Sequence, residues 1–165
     1  MGNLLFSPKG RIGPGPFMNG MVILAVIGAV ISLAPLISVQ LSMILGFAGI
    51  LMLYPLFCLL IKRSHDAGRS GWMSLAWFVL LIIISVILSQ IVMMLFGGDA
   101  MKDMEAAMEE AVSSGAGMGD IMEMTGDMAK KTAIPSAVAG FIATVLGAYV
   151  INMLNKTDPD ANQYD

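Results

Sequence analysis

The sequence predicts an all-α fold: a polytopic membrane protein of about four transmembrane helices, with a short amphipathic helical insertion between helices 3 and 4. Three observations carry this reading. Hydrophobic residues make up 57% of the chain and charged residues 13%, against about 45–50% and about 25% in soluble domains. Charge is missing from long stretches, with no Asp, Glu, Lys or Arg from Ile12 to Ile61, Ser70 to Gly98 or Thr132 to Asn155. A bilayer core about 30 Å thick takes roughly 20 helical residues to cross, so the first stretch holds two crossings and the others one each. Backbone groups in lipid must be satisfied within their own segment, which leaves helices. The alternating segments of about ten residues that build a barrel are absent.

The elements follow in order within a single membrane domain, 1–165. Lys9 and Arg11 precede Gly13, Pro14, Gly15 and Pro16, which break regular structure before the first span. That span is placed at about 17–38. A positive tail before an apolar stretch also describes a secretory signal, but this stretch exceeds the usual apolar core of about 7–15 residues. A retained helix is expected. A short uncharged turn over Val39 to Leu41 leads to the second span, 42–61, which Pro55 is expected to kink. Gly68 suits a helix C-terminus and Ser70 an N-cap for the third span, 72–96, with Trp72 and Trp77 near the interface. The outer polar insertion, 99–131, carries eight acidic and three basic residues. In it Met101, Met104 and Met108 share one helical face, Ser113 to Gly119 break the helix, and a second short helix is expected from Asp120 to Lys130. The fourth span, 133–154, repeats small residues every four positions at Ala139, Ala143 and Gly147, and at Ser136, Gly140, Thr144 and Ala148. Such stripes permit close helix approach.

Lys and Arg near the spans set orientation. With four crossings, Lys9, Arg11, Lys62, Arg63, Arg69 and Lys156 share one side, against Lys102, Lys130 and Lys131 on the other. Both termini are therefore expected in the cytoplasm. Lys130 and Lys131, abutting the fourth span from outside, argue the other way.

The connector Lys62-Arg63-Ser64-His65-Asp66-Ala67-Gly68-Arg69-Ser70-Gly71-Trp72 resembles the signature of a bacterial inner-membrane family, domain of unknown function 805. That signature has a basic pair, His-Asp and Gly-Arg/Lys-Ser-Gly-Trp between the second and third spans. Gly10-Arg11-Ile12-Gly13 is similar to the family's N-terminal segment, and Asn162-Gln163-Tyr164 to its C-terminal element. Pro14, Pro16, Met18 and Asp165 depart from the pattern, and 99–131 looks like an insertion. The resemblance implies a fold and a place in the inner membrane; it supplies no activity.

The connector residues Lys62, Arg63, His65, Asp66, Arg69 and Ser70 are the candidate contacts for an anion or lipid headgroup. Juxtamembrane cations attract anionic lipid at about 1 kcal/mol each, and the free N–H groups at a helix start favour anions. The plainer reading makes the basic residues positive-inside anchors, with Asp66 neutralising an arginine and His65 capping the second helix. His-Asp also occurs in metal-dependent phosphohydrolases, yet His65 is the only histidine and such sites need several more ligands. Neighbours on a helix point apart, so His65 and Asp66 form no catalytic relay by adjacency. Cys58, the only cysteine, is expected to pack, since burial leaves a thiol unreactive. Seven of the 16 methionines fall in the outer segment, at Met101, Met104, Met108, Met118, Met122, Met124 and Met128. Thioethers ligate Cu(I), but an adaptable apolar face is the simpler reading. No span carries the charged residue an ion-coupled carrier keeps at membrane depth.

The expectation is thus an inner-membrane protein that is not an enzyme and has no catalytic residue, metal or cofactor. Its partners would be membrane lipids, anionic headgroups among them, and another copy or another membrane protein; no nucleic acid is called for. The small-residue face of the fourth span and the outer amphipathic segment are the expected contact surfaces. The alternative is a small-solute channel or carrier with the basic connector at its mouth.

Overall fold

A computed structural model describes residues 5–96, 98–115 and 117–160. The side chains of Met101, Met104 and Met118, and the Asn162-Gln163-Tyr164 element, lie outside the described residues. Among those described there are helices and no strands. Four helical stretches are long and apolar enough to cross a membrane: Pro14–Leu36, Val39–Asp66, Met73–Phe96 and Gly119–Leu154, with mean hydropathies of 2.3, 2.5, 2.9 and 1.9 over an 18-residue window of each.

Helix α1, Pro14–Ser32, starts earlier than expected because Pro14 occupies the first helical position. There its fixed φ is pre-organised and its missing N–H is not needed. It also stops earlier, at Ser32, where Pro35 enters a 3-10 turn, Ala34–Leu36. Helix α2, Val39–Leu51, is capped by Ser38, whose hydroxyl accepts from Leu41 N–H at 3.3 Å. The turn expected over Val39 to Leu41 therefore lies just before them. Helix α3, Leu53–Asp66, follows a break at Met52. Pro55, in its first turn, has no N–H to return to the carbonyl of Leu51. The kink expected at Pro55 thus appears as a break one turn upstream.

Gly68, at φ +67°, ends α3. Its N–H bonds the His65 carbonyl at 3.0 Å and Arg69 N–H the Ser64 carbonyl at 2.9 Å, a Schellman closure that needs left-handed backbone. Ser70 follows, its carbonyl accepting from Met73 N–H at 3.0 Å as α4, Met73–Phe96, begins. Helix α5, Gly98–Ser114, ends at Gly115, φ +68°.

Helix α6, Met118–Leu154, corrects the expectation of a short outer helix followed by a separate span. It is one rod of 37 residues, about 55 Å long at 1.5 Å per residue. Lys130 pairs with Asp127 at 2.9 Å one turn back, and Thr132 Oγ1 bonds the Met128 carbonyl at 2.9 Å, so the boundary from polar to apolar passes without a break. Lys131 reaches Asp103 of α5 at 2.6 Å.

Packing centres on α6, which lies along α1 and α4. Phe17, Met21, Leu59, Leu60, Trp77, Ala148 and Ile151 form the buried cluster, gathered toward the end that carries the α3–α4 connector. Of the two tryptophans expected near the interface, Trp77 is buried against the bundle, whereas Trp72 is 80% exposed. The helical period brings Trp77 and Leu81, four residues apart on α4, round to the core face together. The stripe expected as an outward contact surface is used inside: Ala139, Ala143 and Ala148 are buried. At Gly147 a Cβ would overlap Leu81 Cδ2. Of the second repeat, Ser136 and Gly140 stay exposed.

Candidate functional site

Residues 10–14, residues 152–158 and the α3–α4 connector meet at one end of the bundle. The centre is Arg63, which is 1% exposed. A guanidinium offers five N–H donors, and each finds an acceptor in the protein. Nε donates to Asn152 Oδ1 at 2.8 Å. Nη1 donates to Asp66 Oδ2 and, at 3.4 Å, to Thr157 Oγ1. Nη2 donates to the carbonyls of Asn155 and, at 3.5 Å, Asn152. The two carbonyls are among the last of α6, which no intrahelical N–H can reach. Arg63 thus caps the α6 C-terminus, where the helix dipole favours a cation.

Asp66, three residues on, faces the same way as Arg63 along α3. Its carboxylate also accepts from Thr157 Oγ1 at 2.7 Å, and its carbonyl from Asp158 N–H at 2.8 Å. The N-terminal segment joins the same cluster. Asn152 Nδ2 donates to the Pro14 carbonyl at 3.1 Å, Ile12 N–H to the Lys62 carbonyl at 3.3 Å and Arg11 Nη1 to the Asp158 carbonyl at 3.4 Å. His65 Nδ1 lies 3.3 Å from the Gly10 carbonyl. His65 and Asp66 therefore serve different partners, one the N-terminal segment and the other Arg63 with the C-terminal segment. Gly68 allows the close approach, for a Cβ there would stand 2.6 Å from Asp158 Oδ2.

The six connector residues expected to hold a headgroup divide by direction. Lys62, Arg63 and Asp66 are buried. His65 is half-buried, while Arg69 and Ser70 are exposed. The Arg69 guanidinium stands 5.7 Å from the ring centre of Trp77, within cation–π reach. Asp66 neutralises an arginine, as the plainer reading has it. Asn152, Asn155, Thr157 and Asp158 were not singled out from sequence as parts of this site. The signal for Asn152 is chemical: an asparagine at the end of an apolar span needs a polar partner, and the buried cation is one.

Beside the cluster, between α3 and α4, lies a groove of about 490 Å³. Phe57, Ile61 and Leu75 are the apolar part of its lining, and His65, Ser70 and Ser74 the polar part. A second cavity, of about 330 Å³, lies within the spans and is apolar except for Ser85 and Thr144.

A family model described as "Protein of unknown function (DUF805)" matches residues 5–104. No curated protein and no solved structure matches the chain.

Proposed function

This chain belongs to the DUF805 family, whose function is unknown, and on that footing we propose that it is a non-enzymatic protein of the bacterial inner membrane that binds anionic lipid headgroups on one basic face. The observation that carries the reading is the hydrogen-bonded cluster around Arg63. It ties residues 10–14 and 152–155 to the α3–α4 connector, so Lys9, Arg11, Lys62, Arg69 and Lys156 are held at one end of the bundle. Arg63 and Asp66 build that face, and Arg69 and Ser70 present it.

Charge supports a cytoplasmic place for this end. It carries six Lys and Arg, against Lys102, Lys130 and Lys131 on the other side. The cytoplasmic leaflet is the anionic one, and each basic residue near it is worth about 1 kcal/mol.

The test is native mass spectrometry of the full chain released from membranes containing phosphatidylglycerol and phosphatidylcholine in equal amounts. Phosphatidylglycerol is expected to be retained preferentially, and the preference to fall in Arg69→Gln. Equal retention of the two lipids would overturn the reading. So would solute flux in proteoliposomes that disappears in Arg69→Gln, which is the behaviour of a channel.

A further inference from the structure

We propose that the groove between α3 and α4 is a binding site for a single anionic phospholipid, with its phosphate at the Ser70–Ser74 end and an acyl chain laid along Phe57, Ile61 and Leu75. The inference rests on the basic-face reading and assigns it a place and a stoichiometry.

The volume comes first. About 490 Å³ falls within the range of roughly 300–1,000 Å³ typical of small-molecule sites. The lining is polarised along its length in the manner of a lipid. From His65 down to Phe57 is eight residues of α3, about 12 Å at 1.5 Å per residue. Over that distance the wall changes from imidazole and hydroxyl to phenyl and aliphatic. A soluble anion would satisfy only the upper part, and a plain hydrocarbon only the lower. Exposed Trp72 stands at the upper end, and indole rings prefer the depth of the headgroups. The groove therefore straddles the level at which a phospholipid changes from phosphate to chain.

Charge selects the anionic class. No carboxylate lines the groove among the described residues. Asp66, the nearest in sequence, is turned into the bundle by Arg63 and Thr157. Arg69, which is exposed, adjoins Ser70 in the chain.

Gly71 holds the neck open. A Cβ at this position would stand 3.3 Å from His65 Nε2 and 3.4 Å from Ile61 Cγ2, the two residues where the polar and apolar walls join. Its backbone is not left-handed, so the absence of a side chain here serves space and not conformation.

The experiment uses the full chain in detergent titrated with dioleoyl phosphatidylglycerol, with dioleoyl phosphatidylcholine and inorganic phosphate as parallel probes. Gly71→Leu fills the neck, and Leu75→Trp fills the apolar end from an exposed position that tolerates bulk. Circular dichroism and gel filtration report whether each variant is folded. One phosphatidylglycerol bound by the wild type, weakened at least tenfold in the folded variants and not displaced by millimolar phosphate, is the expected result. Undiminished binding of phosphatidylglycerol over phosphatidylcholine in both variants would refute the groove and leave the basic face standing. Equal binding of both lipids, lost in the variants, would refute the basic face and the anionic assignment with it. Displacement by phosphate alone would refute the acyl-chain half of the site.

Discussion

Replacing Arg63 with methionine tests the cluster at its centre. The substitution keeps a long apolar stem and removes five donors. Asp66 is left with Thr157 Oγ1 at 2.7 Å as its side-chain donor, and the Asn152 and Asn155 carbonyls lose their cap. The Arg63 and Asp66 side chains are 1% and 9% exposed, so the remaining carboxylate is a buried, poorly paired charge. Breaking such a pair on one side costs about 3–5 kcal/mol. Removing both charges in Arg63→Met/Asp66→Leu leaves no stranded ion, so the double variant should cost less than the two single losses added together. The coupling should exceed about 2 kcal/mol, toward the upper end of what contacting residues show. Reversible unfolding in mixed micelles of mild detergent and dodecyl sulfate, followed through the fluorescence of buried Trp77, measures all four states. A single variant within about 1 kcal/mol of wild type, below even the cost of one lost bond to a charged group, would refute the assignment. Additive losses would refute it as well.

Two asparagines at the end of α6 should behave oppositely. Asn152→Leu removes an acceptor from Arg63 and a donor to Pro14, with an expected loss of about 1.5–3 kcal/mol. Asn155→Leu discards an amide that is buried with no partner among the described residues, and should be neutral or stabilising. The same unfolding titration separates them. Gly147→Leu should cost at least about 1–3 kcal/mol by overpacking, since even a Cβ would overlap Leu81; adding Leu81→Ala should recover part of the loss. For orientation, in a Cys58→Ala background, Lys156→Cys is expected to resist an impermeant thiol reagent applied to intact cells and Glu123→Cys to react. The reverse pattern would invert the protein in the membrane.

The membrane class was legible because the physics behind it is coarse. A run without a charge that is long enough to cross lipid is rarely built for anything but lipid, and three such runs sit in plain view. Boundaries moved where local chemistry outweighed hydropathy, at Pro14, whose ring begins a helix, and at Ser38, whose hydroxyl caps one. The continuity of α6 was hidden because Lys130 and Lys131 look like a border, although their partners Asp127 and Asp103 hold them on a helix and its neighbour. At the site, the i, i+3 spacing of Arg63 and Asp66 could be read directly. Their partners at Asn152, Asn155 and Thr157 could not, because a separation of 89 to 94 residues leaves no local pattern. The burial of Trp77 was not legible for a related reason: composition gives a helix its depth in the bilayer but not the direction each ring faces.

That long separation gives the cluster a place in time. At about 5–20 residues per second of translation, the 89 residues between Arg63 and Asn152 take roughly 5–20 s to emerge from the ribosome. Three helices have reached the bilayer by then, with a guanidinium whose acceptors do not yet exist. The fold is sealed late in biosynthesis, by a short polar stretch following the last hydrophobic one. A nascent chain interrupted before that stretch carries an arginine whose acceptors on α6 are missing.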